Sequence, residues 1–291
     1  MEGCREIELF IGPLEEWRGN VGTGAIGLIC NGNNTTMRID VNISKTIVSV
    51  SNSAEISIYN LSTDTRHMLR AGLRVRLYAG YEGEAKEMIF SGGIMAVETE
   101  RQGTDIITKM TCLSGSGPLV RSTTSKTYSH GVKVADAVRE IASTIPGIVV
   151  DPTNIKVSGS IGYAGWSVVG STKDALDRLA NQYGFSWSID NEKFVAVQDG
   201  RAVGGRVLLD SSNGLRKVSP RLTGPLFYQE GVDIQATYCP GVYPGTSVTV
   251  HSELQNIRKT YAVHSASYSL APKTGAWDMR LTSFFTFGNW Q

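Results

Sequence analysis

The stretch Ala54–Gly80, AEISIYNLSTDTRHMLRAGLRVRLYAG, decides how the rest of the chain is read. Ile56 and Ile58 alternate with polar residues, as a strand with one buried face requires. The pattern breaks at Asn60-Leu61-Ser62 and re-enters through Gly72 into a second alternating strand, where Val75 and Leu77 face one way. Val232–Ser252, VDIQATYCPGVYPGTSVTVHS, repeats the plan with a break at Cys239-Pro240-Gly241 and re-entry through Gly245. An ungapped offset of 173 residues takes Gly72 to Gly245, Val75 to Val248, Leu77 to Val250, Phe90 to Val263 and Asp105 to Asp278. Such self-similarity predicts two related β-units, one near each end of the chain.

Composition agrees. A chain of 291 residues favours two domains and is long enough to bury a substantial core. The 32 glycines fall between short alternating segments, which favours β-structure with many tight turns. With 28 basic and 27 acidic side chains the formal charge is only +1, so there is no strong electrostatic footprint for nucleic acid or an anionic membrane. MEGCREIELFIGPLEEW has no basic segment followed by an apolar run, and no apolar run reaches membrane-spanning length. The expectation is a protein made in the cytosol, without membrane insertion. Its four cysteines (Cys4, Cys30, Cys112 and Cys239) are widely spaced, form no metal-type pair and are expected to be reduced.

Outward from the first phrase, Met37, Ile39, Val41 and Ile43 alternate as a half-buried strand, and Ser62 is placed to cap a short helix over Thr63–Leu69. Met88–Val97 and Asp105–Cys112 supply two more strands across the turn at Arg101-Gln102-Gly103. Five or six strands in so short a span suit a small barrel or sandwich. The character changes after Leu113-Ser114-Gly115-Ser116-Gly117-Pro118. Val134, Ala137, Val138, Ile141, Ala142 and Ile145 have helical spacing, ended by Pro146-Gly147. A second helix is expected from Ser171, with Asp174 at its positive end, an apolar side of Ala175, Leu176, Leu179, Ala180 and Tyr183, and Gly184 in the left-handed closing position. Phe185–Ile189 and Phe194–Val197 then read as a hairpin. Strand character returns at Arg206–Leu209 and runs through Tyr261–Ser269 and Trp277–Phe287. The divisions are 1–112 (β), 113–205 (α+β) and 206–291 (β).

Candidate chemistry is thin. Gly22-Thr23-Gly24-Ala25-Ile26-Gly27 is formally G-x-G-x-x-G, with Asp40 beyond it. A dinucleotide site needs a strand before and a helix after, and neither fits these flanks, so a glycine-rich loop is the better account. Gly165-Trp166-Ser167-Val168-Val169-Gly170 misses the nucleophile-elbow spacing by one residue. His67, His130, His251 and His264 include no zinc motif, although His251 and His264 fall on adjacent expected strands and could meet in space. Glu82, Glu84 and Glu87 read as a solvated glycine-containing turn. Arg66, Arg70, Arg74 and Arg76 form the densest basic run, with only Tyr78 as an aromatic companion. Arg74 and Arg76 share the strand face opposite Val75 and Leu77, which suits a solvated or subunit-facing sheet surface better than a phosphate track. No catalytic, cofactor-binding or metal-ligating residue emerges, and no cofactor is implied.

The order of features resembles a known family. Ala54–Ser62, Gly72-x-x-Val-x-Leu-x-Ala-Gly-Tyr81 and Ile89-Phe90-Ser91-Gly92 are similar to the opening of phage tail baseplate hub proteins. Ala175–Tyr183 with the Phe185–Val197 hairpin, Asn213-Gly214-Leu215…Pro220, and Cys239-Pro240-Gly241…Pro244-Gly245-Thr246-Ser247-Val248 follow in the family's order. The resemblance implies a mainly β fold with an α+β insert: two tube-like β-barrel domains, over 1–112 and 206–291, flanking a middle α+β region. It also implies a structural, non-enzymatic virion component: a homotrimer whose six similar domains join the sixfold tail tube, or its distal ring proteins, to a central spike. Genomic DNA would leave through its lumen without sequence recognition, and the insert would sit at the periphery or bottom, away from the barrel ring. The alternatives are a tail-associated glycan-binding or cell-wall-degrading protein, and another tail-tip ring protein with a single barrel.

Overall fold

The computed structural model describes residues 4–13, 26–32, 36–48, 52–115, 119, 121–198, 201–202, 206–223 and 229–285. The first half of the chain supplies β1 (Arg5–Gly12), β2 (Ile26–Asn31), β3 (Ile39–Thr46), β4 (Ser53–Tyr59), α1 (Thr63–Met68), β5 (Arg74–Tyr81), β6 (Glu87–Gln102) and β7 (Asp105–Leu113). The middle region contains β8 (Thr123–Tyr128), α2 (Val134–Ala142), β9 (Ile155–Lys156), β10 (Trp166–Ser171), α3 (Thr172–Tyr183), β11 (Phe185–Asp190) and β12 (Lys193–Gln198). The last part supplies β13 (Arg206–Leu209), β14 (Leu215–Thr223), β15 (Gln229–Thr237), β16 (Ser247–Ser252), β17 (Ile257–Leu270) and β18 (Trp277–Phe285). The chain is mainly β, with its helices concentrated in the middle region.

Local chemistry places the helix ends. Ser62 Oγ accepts the N–H of Thr65 at 3.2 Å, capping α1. Ser171 Oγ accepts the N–H of Asp174 at 3.4 Å at the start of α3, and Gly184 closes that helix at φ 65°, ψ 53°. Regular α2 stops at Ala142, short of Pro146. The Ser143 and Thr144 hydroxyls donate to the carbonyls of Arg139 and Ile141 at 2.8 and 2.7 Å, which occupies acceptors of the last turn. Ile145 remains buried beyond the helix end. The middle core packs Val138, Ile141, Leu176 and Leu179 against Trp187 and Phe194, whose rings stack 5.7 Å apart.

Strands from both ends of the chain share a second core and a single 13-stranded sheet. The first half is ordered β3-β4-β7-β6-β5-β1-β2 and the last part β14-β15-β18-β17, with β16 beside β17 and β13 beside β16. The two orders match strand for strand from β3/β14 through β5/β16. Val41 faces Ile56 in one unit where Val218 faces Ile234 in the other. Ile56 faces Met110 where Ile234 faces Leu281, and Val75 faces Gly92 where Val248 faces Tyr261. Even the irregularity recurs. β6 bulges between Ile94 and Ala96 against β7, and β17 bulges between Val263 and Ser265 against β18.

The repeat is therefore structural, but not in one register. The 173-residue offset holds along β5 and β16, then becomes 169 across the next hairpin (Ile94 to Val263) and 171 in the last strand (Cys112 to Ser283). The turn Glu253–Asn256 is four residues shorter than its counterpart, and the loop after Leu270 is two residues longer. Phe90 thus corresponds to Lys259, not Val263, and Asp105 does not correspond to Asp278. The outermost neighbours differ too, with β1 antiparallel to β5 and β13 parallel to β16.

Neither unit closes into a barrel among the described residues. β17 is too long to serve one unit alone: its first part pairs with β16, and Ser265–Leu270 pairs with β3 of the other unit. The sheet runs open from β14 at one end to β2 at the other.

Candidate assembly interface

The junction between the two units is an antiparallel strand pair. Ala266 faces Lys45, Tyr268 faces Ile43 and Leu270 faces Val41. All six side chains are buried, and the Tyr268 hydroxyl donates to the carbonyl of Val242 at 2.6 Å. Burial drives the Tyr268 phenol well above its ordinary pKa, so it stays a neutral donor. Two further links cross the junction. The Glu87 carboxylate accepts the N–H of Gly241, and the Tyr81 hydroxyl donates to the carbonyl of Tyr238 at 3.2 Å. Trp277 packs edge-on against Tyr81, with ring centroids 6.2 Å apart. The turn at Cys239-Pro240-Gly241 is thereby fastened to the start of β6.

The β11–β12 hairpin wedges into the same place. Its two-residue turn, Asn191-Glu192, has φ of 49° and 65°, the left-handed pair that matches strand twist in a tight hairpin. Glu192 meets Arg74 at 2.5 Å and Arg76 at 3.4 Å and accepts the Ser91 hydroxyl at 2.9 Å. Burial opposes the charge on Glu192, but the Ser91 hydrogen bond and Arg74 outweigh it and hold the carboxyl below its ordinary value. Asp190 pairs with Lys45 at 2.7 Å, where Lys45 is only 2 % exposed, and accepts the Asn52 amide at 3.2 Å. Asn191 donates to the carbonyl of Met88 at 2.7 Å. The middle region is therefore anchored on the junction and does not stand away from it.

Several residues singled out by the sequence have roles here that differ from expectation. Arg74 and Arg76, expected on a solvated or subunit-facing surface, are half-buried and meet Glu192 in the hairpin turn of their own chain. Glu82 and Glu84 are exposed as expected, whereas Glu87 is engaged by Gly241. Residues 22–25 lie outside the described residues, and Ile26–Asn31 is a strand, so no helix follows the glycines. Asp40 pairs with Arg38 at 2.7 Å. Ser167 lies on β10 and donates to Thr127 at 3.2 Å. His67 is exposed on α1 and His130 stacks on Tyr163 at 4.2 Å. His251 and His264 do not meet: His251 faces Arg258 on β17, and His264 lies six residues further along that strand, about 20 Å away. Among the described residues no group of three His, Cys, Asp or Glu side chains is placed to hold a metal, and no helix is long and apolar enough to cross a membrane.

A cavity of about 300 Å³ opens beside the junction, lined by Lys45, Glu87, Asp190, Tyr238, Tyr243 and Tyr268 among others. Its two carboxylates are held by partners within the chain, Gly241 for Glu87 and Lys45 with Asn52 for Asp190. The arrangement locks three parts of the chain together.

Comparison with known proteins agrees with a structural role. The fold is similar to a tail protein from Neisseria meningitidis MC58, at TM-score 0.61 and 12 % identity over 96 % of both chains. It is similar to the 43 kDa tail protein of prophage MuSo2 from Shewanella oneidensis, at TM-score 0.61 and 11 % identity over 97 % of both. It is also similar to the E. coli c3393 protein, a type VI secretion component described as resembling phage T4 tail proteins gp27 and gp5. That match has TM-score 0.57 and 13 % identity over 86 % of this chain and 74 % of the other. No curated protein sequence matches. At such identities the likeness speaks for fold, but residues 26–282 match the family model described as baseplate hub gp41. With both phrases and the whole middle region inside that match, the chain belongs to the baseplate hub gp41 family, structural proteins of the phage tail baseplate.

Proposed function

We propose that three copies form a ring at the distal end of the tail tube, joining the sixfold tube above to a central spike below, with the genome leaving through the lumen. The observation that carries this reading is the β17–β3 junction between two units of the same strand order. Like units joined by unlike surfaces make a heterologous contact, which generates a ring when the rotation closes. Three chains would then present six similar units to a sixfold partner. The residue ranges 1–112, 113–205 and 206–291 are proposed as the two ring units and the insert between them. A formal charge of +1 suits a conduit from which DNA must slide free. Native mass spectrometry of the purified full chain tests the stoichiometry. A dominant three-copy species is expected, and a six-copy ring would overturn the reading in favour of a tail-tip ring with one unit per position.

A further inference from the structure

The distal half of β6 and the strand β14 each have one edge without a described neighbour, and the internal junction specifies how these two edges fit. The geometry points to pairing of the distal half of β6 with β14 of a second copy of this chain, in a defined register. This inference rests on the ring reading above and names the surface that would close the ring.

The two units are equivalent strand for strand, so the contact inside the chain prescribes one between chains. β6 corresponds to β17, bulge for bulge, and β14 corresponds to β3 through their hairpins with β15 and β4. Within the chain, β17 beyond its bulge pairs with β3. β6 beyond its bulge pairs on one side with β7, and β14 pairs on one side with β15. Carrying the β17–β3 register across places Ala96 opposite Thr223, Glu98 opposite Arg221, Thr99 opposite Pro220, Glu100 opposite Ser219 and Arg101 opposite Val218. One copy cannot satisfy both edges at once if the contact repeats around a ring, so the occupant of each is another copy.

Charge and exposure support the same pairing. Ala96 and Glu98–Gln102 are exposed on β6, as are Arg216, Lys217, Pro220 and Arg221 on β14. The β6 edge carries Glu98 and Glu100 against a single Arg101, while the β14 edge carries Arg216, Lys217 and Arg221. Opposite edges therefore attract, and like edges repel. Within one copy these charges pair at the surface, Glu100 with Lys109, Arg216 with Asp278 and Arg221 with Asp233, in contacts that are worth little and easily exchanged. Where the internal junction buries Tyr268 and Leu270, β6 has Thr99 and Arg101. A polar edge with a proline in its partner strand is how an unassembled strand avoids indiscriminate pairing.

Disulfide trapping tests the register. Directly opposed residues in an antiparallel pair have Cα atoms about 4.5–5.5 Å apart, inside disulfide range. In a Cys4→Ser background, which removes the exposed native thiol, the full chain carrying Glu98→Cys and Arg221→Cys is expected to cross-link between copies on mild oxidation. Glu98→Cys with Lys217→Cys lies four residues out of register, about 13 Å, and is expected to cross-link several-fold less. Mixing single Glu98→Cys chains with single Arg221→Cys chains is expected to give a linked dimer that is several-fold more abundant than with either chain alone. Trimers by native mass spectrometry with no cross-link above the out-of-register control would overturn this pairing and leave the three-copy ring standing. An open-ended cross-linked ladder would support the pairing and overturn closure at three, and monomers with no cross-link would overturn both.

Discussion

Gly72 and Gly245 hold the same backbone shape, φ 92° and 94°, and each donates its N–H to the residue just ahead of the bulge in the following long strand. The acceptors are Ile94 at 2.9 Å and Val263 at 2.8 Å. A side chain at either position is strained, at a cost of about 1–3 kcal/mol. Their surroundings differ: an added Cβ meets open space at Gly72, but Ile47 Cδ1 at 3.0 Å at Gly245. Gly245→Ala is expected to destabilise more than Gly72→Ala, as urea midpoints would show. Equal and negligible effects would remove the claim that these turns are equivalent constrained points.

The buried Lys45–Asp190 pair makes the insert and the sheet junction depend on each other. Asp190→Ala leaves the Lys45 ammonium buried without its carboxylate, a change expected to cost about 3–5 kcal/mol. Lys45→Met combined with Asp190→Leu is expected to recover much of that loss. Chemical denaturation of the three proteins measures it, and a double variant no better than Asp190→Ala would count against the pair as the cause.

Acid should loosen the same joint. Glu192 titrates below its ordinary value of 4.5, so its contribution to stability is full above that pH and disappears as pH falls through the lowered value. Glu192→Gln is expected to lower the melting temperature near neutrality. The gap to the native chain should narrow on acidification and vanish at the acid end. A gap independent of pH would show that the carboxylate charge is not what Arg74 and Arg76 hold.

Thiol reactivity should follow burial. Cys4 is exposed, while Cys30 and Cys112 are fully buried, and burial pushes the Cys112 thiol up to about 12. Cys4 is expected to be alkylated rapidly in the native protein, with Cys30 and Cys112 modified only on unfolding. Mass-resolved labelling with iodoacetamide distinguishes them, and labelling of Cys112 in the folded chain at the rate of Cys4 would contradict the packing.

How much of this was legible in the sequence follows the range of each interaction. Ser62, Ser171 and Gly184 act on their immediate neighbours, and each does what its position suggests. The alternation at Ile56, Ile58, Val75 and Leu77 marks the buried face correctly, because strand period is a local property. The ungapped offset misled beyond Leu77, since turns change length without disturbing the strands they join. The roles of Arg74, Arg76 and Glu87 were hidden for a different reason. Their partners, Glu192 and Gly241, lie 118, 116 and 154 residues away, and nothing local marks such pairings.

The β17–β3 junction was the least visible feature and matters most, because it turns a repeat into a rule for joining units. The direct measurement is a reconstruction of the tail tip by electron cryomicroscopy with this chain located in it. The expected density shows three copies, six like units in one continuous ring of strands, and β6 of each copy running beside β14 of the next. Six copies, or three copies whose two units do not alternate around the channel, would contradict the account.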